Sequence, residues 1–228
     1  MLVPSYFQTG SLPADRPEVQ VVVAAATHQV VIERRTADGQ ARSVVALAAD
    51  HSVAIGDLAS RRVATIFPTT TALAHLIAIA EAQDAVGGDE AVVVLPAMLD
   101  EVSGLARTGG TQAAIATLVG VGVPSALATR LVTALEQKRA VVSVTVVHAV
   151  EAGDTVDAGS LEGRSLTWVD GGASGTWIVG TPDPASVDPV TVLPADRQRL
   201  ELAIGSLLGG AGFDRAPDLE VRADAVRE

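Results

Sequence analysis

The chain has 228 residues, is 48% hydrophobic but only 3% aromatic, and carries 16 Lys+Arg against 27 Asp+Glu for a formal net charge of −11. Lys138 is its only lysine, and no basic run exceeds Arg34-Arg35 or Arg61-Arg62. Such a surface cannot release counterions from phosphate, which excludes nucleic acid as an expected partner and disfavours anionic membranes. There is no cysteine, so disulfides, thiolate metal sites and cysteine nucleophiles are excluded together.

Cytosol is the expected compartment. Met1 to Gly10 lacks a basic segment followed by an apolar stretch, and no apolar run reaches the ~18 residues a membrane span needs. The length suffices to bury a sizeable core, which must be made of Ala, Val, Leu and Ile.

In chain order, residues 1–17 read as an irregular arm punctuated by Pro4, Pro13 and Pro17. A first half, 18–88, is expected to be a β-meander plus helix. Its strands are Val19 to Ala26, Gln29 to Arg35, Ser43 to Ala48, Ser52 to Ile55 and Val63 to Phe67. Asp38-Gly39 is the sharpest hairpin signal, and Pro68 ends the sheet. A helix capped by Thr70 or Thr71 runs to Ala85 before Gly87-Gly88.

Residues 89–140 form a connecting segment. It holds a strand from Ala91 to Leu95, a helical turn or short helix from Pro96 to Leu105, and helices from Gln112 to Val119 and Pro124 to Arg139. A second half, 141–210, repeats the first. It has strands Val141 to Val150, Ser165 to Val169, Thr176 to Gly180 and Pro189 to Leu193, then a helix from Arg197 to Leu208 capped by Asp196. A charged tail, 211–228, closes the chain.

Arg62 to Pro68 with its helix, and Val190 to Pro194 with its helix, have the same order of parts, which suggests an internal repeat. The expected fold is mixed α/β, α+β-like: a quasi-two-fold pair of antiparallel β-meander plus helix units sharing a central sheet, with helices packed on it.

Residues that could carry chemistry are scattered. His28, His51, His75 and His148 show no metal-ligand spacing, and His75 and Glu81 fall on different helix faces. Ser174 lies in Gly172-Ala173-Ser174-Gly175, a hairpin turn rather than a nucleophile elbow. Gly120-Val121-Gly122-Val123-Pro124 follows a helix and lacks the third glycine of a dinucleotide fingerprint. Asp89-Glu90 and Asp100-Glu101 read as solvated charges, since no partner base or third ligand accompanies them. No catalytic residue, cofactor or metal is expected.

Two features bear on partners. Trp168 and Trp177 flank one hairpin, where they could sit across from one another on adjacent strands, as core or as an exposed anchor. The Gln112 to Val119 helix, apolar nearly all round, poses the same choice through Ile115 and Leu118.

The run Gly122-Val123-Pro124-Ser125-Ala126-Leu127-Ala128-Thr129-Arg130-Leu131 is followed by the strand Val142 to Val147, and then by Leu166-Thr167-Trp168-Val169-Asp170 with Gly175-Thr176-Trp177. Val190 to Asp196 before a leucine-rich helix completes the order. In this order the C-terminal half resembles the EspG family, cytosolic chaperones of actinobacterial ESX (type VII) secretion systems. The likeness extends back through Gly88 to Pro96 and, more weakly, to Pro17.

The resemblance implies a mixed α/β fold with quasi-two-fold halves and no enzymatic activity. It also implies binding of PE/PPE-type secretion substrates in the cytosol, by capping the aggregation-prone helical tip of the PPE partner. Family members carry an additional N-terminal region where only Met1 to Arg16 stands here. A shortened gene start, a lineage without that piece, and a sheet edge completed by a second subunit, hence a homodimer, all remain open. Two other readings stand beside the chaperone: a small-molecule binding protein or enzyme, and a homo-oligomeric structural protein.

Overall fold

The computed structural model describes residues 16–58, 61–80, 90–148, 163–180 and 188–209. The expected helix end near Ala85, Gly87-Gly88, Asp89, residues 1–15 of the arm and the tail lie outside the described residues. What is described is a mixed α/β fold, a nine-stranded antiparallel sheet with six helices packed on it.

The chain enters through α1 (Pro17–Ala25) and lays down β1 (His28–Thr36), β2 (Gly39–Leu47), β3 (His51–Leu58) and β4 (Arg61–Pro68) as a meander. A 3-10 turn, Thr69–Thr71, leads into α2 (Ala72–Ile79). Then come β5 (Val92–Val94), α3 (Pro96–Arg107), α4 (Thr111–Gly120) and α5 (Ser125–Glu136). A second meander follows, β6 (Ala140–His148), β7 (Gly163–Asp170), β8 (Thr176–Val179) and β9 (Val190–Ala195), and α6 (Arg197–Gly209) closes it. Asp196 caps α6, its Oδ1 accepting the Arg199 amide at 2.7 Å.

Strand order is β4-β3-β2-β1-β6-β7-β8-β9-β5. The two meanders therefore run outward from a central antiparallel pair in which His28 lies opposite His148 and Thr36 opposite Ala140. That pair is centred on Ile32 against Val144, so a two-fold axis there carries β1 onto β6. In each half the order is helix, four outward strands, helix.

Side-chain alternation sorts the strands into two faces. On one face, Val30, Ile32, Val45, Leu47, Phe67, Val142, Val144, Val146, Trp168 and Ile178 pack under α2 and α6, a single core spanning both halves. On the other face there are two cores. Ala46, Val53, Ile55 and Ala64 meet Val19 and Val23 of α1, and Val169, Trp177, Val190 and Val192 meet α3, α4 and α5.

One expected strand is corrected. Val19 to Ala25 is helical within α1 rather than extended. Pro17 occupies the first helical turn, and Val19 and Val23, four apart, bury fully on the sheet. Packing at helical spacing overrides the β-branched preference of the run.

Candidate protein-interaction surface

Among the described residues, the groups capable of chemistry lie mostly apart. His51 opens β3 and is exposed, and His75 stacks on Phe67 with ring centroids 4.0 Å apart. His28, its Nδ1 2.8 Å from Thr27 Oγ1, sits in backbone register with His148 across the central pair, a pairing the sequence spacing did not signal. Glu90, Asp100 and Glu101 are exposed. Among the described residues no three His, Cys, Asp or Glu side chains gather closely enough to hold a metal ion.

Ser174 Oγ donates to Gln137 Oε1 at 2.9 Å, tying the β7–β8 turn to the end of α5. Gly122, at φ +94°, ends α4, where the Gly122 and Val123 amides return to Val119 O and Leu118 O. This is helix-stop geometry that needs a glycine, with no amide cradle opening toward a phosphate.

The two tryptophans lie on opposite faces. Trp168 pairs with Ile178 and Trp177 with Val169, so the two are offset by one residue and alternation turns one under α6 and the other under α5. They do not face each other across the hairpin. Each is 1% exposed. The Trp177 indole N–H donates to Ser174 O at 3.4 Å, and the Arg130 guanidinium lies 5.7 Å from its ring. Leu118 is also fully buried and Ile115 half-buried against the same core.

What remains on the surface is the outer side of that helix. From Thr108 to Thr129 the sequence holds no Asp, Glu, Lys or Arg. α4 rests on α3 and α5, and its solvent side carries Gln112, Ala113, Ala116, Val119 and Gly120. Val119 is 42% and Val121 51% exposed, so the α4–α5 corner is an uncharged apolar tip. The signal that would have found it is the 22-residue charge gap read with helical spacing, which separates the inward Ala114 and Leu118 from the outward Ala116 and Val119.

Beside this unit, α1 leans on β2 and β3 while α5 leans on β7 and β8. The strip between them carries half-exposed Glu33, Ser143, Thr145, Ser165 and Thr167 beside buried Val31, with Ser143 and Thr167 hydroxyls 3.1 Å apart. α1 and α5 thus stand on either side of this strip of the sheet.

Compared with known proteins, the chain matches no family model and no curated protein in sequence. Among solved structures it is similar to the Mycobacterium tuberculosis type VII secretion system chaperone EspG5, determined in complex with the PE25–PPE41 dimer. The TM-score is 0.61 at 16% identity, covering 87% of this chain and 78% of that chain. A likeness of this kind shows a shared fold. Among the described residues no helix is long and apolar enough to cross a membrane.

Proposed function

We propose that this chain is a non-enzymatic chaperone of type VII secretion that binds a PE/PPE-type substrate in the cytosol and keeps it soluble for export. The observation that carries the reading is the shared fold with EspG5, a chaperone solved with the PE25–PPE41 dimer on it. The surface supports it. A chaperone has to cover the apolar tip of a helical client with a preformed face that is itself uncharged, because unpaired charges buried on binding would cost more than the contact returns. The outer side of α4 and the α4–α5 corner, with Val119 and Val121, form such a face on a chain of net charge −11.

Coexpression with PE and PPE partners encoded beside its gene is expected to yield a soluble complex of one chain with one PE–PPE pair, read by copurification and light scattering. Val119→Asp with Val121→Asp should abolish copurification while leaving the thermal melt in place, since both side chains stand in solvent. Failure of every neighbouring pair to copurify would overturn the function. Retained binding by the double variant would overturn the surface.

A further inference from the structure

Among the described residues, no strand lies beyond β4 on its outer side. Which backbone groups it turns outward follows from its ladder with β3. The Thr69 amide donates to Asp50 O at 3.0 Å, continuing the register in which His51 lies opposite Pro68. Bonded and non-bonded pairs alternate along an antiparallel ladder, so Phe67, Thr65 and Val63 bond to β3, while Arg62, Ala64, Ile66 and Pro68 turn their backbones away. Pro68 thus sits where its missing N–H removes no ladder bond.

One of these outward carbonyls is occupied. Arg16 Nη1 donates to Ala64 O at 3.0 Å, while the same guanidinium donates through Nε to Glu18 Oε1 at 2.7 Å. Glu18 stands in the first turn of α1, which Val19 and Val23 anchor on the sheet beside this edge. The planar fork is therefore fixed at both ends, by a carboxylate and by a strand carbonyl.

We propose that Arg16, held by Glu18, guards the β4 edge against pairing with β4 of a second copy of this chain. The edge is self-complementary. An antiparallel two-fold through Ala64 sets Ala64 opposite Ala64 and Arg62 opposite Ile66, so every outward N–H meets an outward C=O. The carbonyl at the centre of that ladder is the one Arg16 fills. The quasi-symmetric strand, β9, has its outer edge covered by β5, which leaves β4, among the described residues, as the long edge in need of protection.

The test is the mass in solution of the whole chain by light scattering after gel filtration, with far-UV circular dichroism confirming the fold. Arg16→Ala should double the apparent mass, and Arg16→Met, which keeps the aliphatic stem but removes every donor, should do the same. Glu18→Gln, on an exposed side chain, should loosen the fork and give a partial shift. Adding Arg62→Pro, which deletes an outward N–H and no bond to β3, should return the Arg16 variants to monomers. Variants that fold and stay monomeric would overturn the proposal, as would a dimer that survives Arg62→Pro or a wild-type dimer that Arg62→Pro dissolves.

Discussion

Replacing Trp177 separates a core tryptophan from a partner anchor, the choice its sequence leaves open. The side chain is 1% exposed and packs with Val169, Val190 and Val192 against α5. Trp177→Ala removes the whole indole from a site bounded by a sheet and a helix, and is expected to cost about 3–5 kcal/mol. Loss of the 3.4 Å bond to Ser174 O adds little at that length, and loss of the Arg130 contact at 5.7 Å adds about 0.5–1 kcal/mol. Against a typical domain stability of about 5–15 kcal/mol, the alanine variant is severely weakened. Trp177→Phe keeps a ring in the site and should cost roughly 1–2 kcal/mol.

The assay is urea unfolding followed by far-UV circular dichroism and by the fluorescence of Trp168, which sits under α6 and reports on the opposite face. Both signals should shift together if the sheet unfolds as one unit. Client affinity of the phenylalanine variant should be unchanged. An unchanged unfolding midpoint with client binding weakened tenfold or more would refute the packing assignment.

Three further outcomes follow from local geometry. Gly171→Ala would place a methyl 2.6 Å from Ala134 Cβ and 2.8 Å from Gly175 O, so the β7–β8 turn and α5 must part; about 1–3 kcal/mol of destabilisation should appear as a lower calorimetric Tm. An unchanged Tm would show that α5 is free to move. Thr69 Oγ1 donates to Ala48 O at 2.8 Å and so must accept from Ser52 at 2.8 Å, all in buried surroundings; Thr69→Val strands two partners and should cost about 1–3 kcal/mol by chemical denaturation. Glu18 has its pKa lowered, first by the hydrogen bond from Arg16. The pair's contribution is present above the ordinary carboxylate pKa and is lost as pH falls through the lowered one. An NMR titration of the Glu18 carboxyl should show a midpoint below the usual glutamate range, moving upward in Arg16→Met. A normal midpoint in the wild type would break the fork on which the edge guard depends.

Much of the fold was written locally. Asp38-Gly39 joins β1 to β2 with Gly39 at φ 149°, Pro68 ends β4, Pro96 opens α3, and Asp196 caps α6. Each of these signals acts within a few residues. The pairing of β1 with β6, which joins the halves, is made by residues more than a hundred positions apart, and only the repeated order of parts hinted at it. α1 was hidden because its valines favour a strand in isolation, and only the sheet beneath makes the Val19–Val23 spacing decisive. The tryptophans were ambiguous for a different reason: a one-residue offset in the β7–β8 register sends them to opposite faces, and a turn sequence does not set that register alone.

The asymmetry between the halves supports the proposed interaction surface better than any single residue does. On the α1 side of the sheet, the first half buries its strands beneath one helix, yet the second half uses three for an equivalent set of strands. On that side α5 makes the main helix contact with β7 and β8, whereas α4 packs mainly on α3 and α5. Covering the sheet therefore does not explain α4. Its inward Ala114 and Leu118 fix it firmly, while its outward side carries no charge and ends in exposed Val119 and Val121. A solvent-facing helix with no other task would be expected to carry charged residues there, because exposed apolar surface favours association. The uncharged face becomes physically reasonable once a partner covers it.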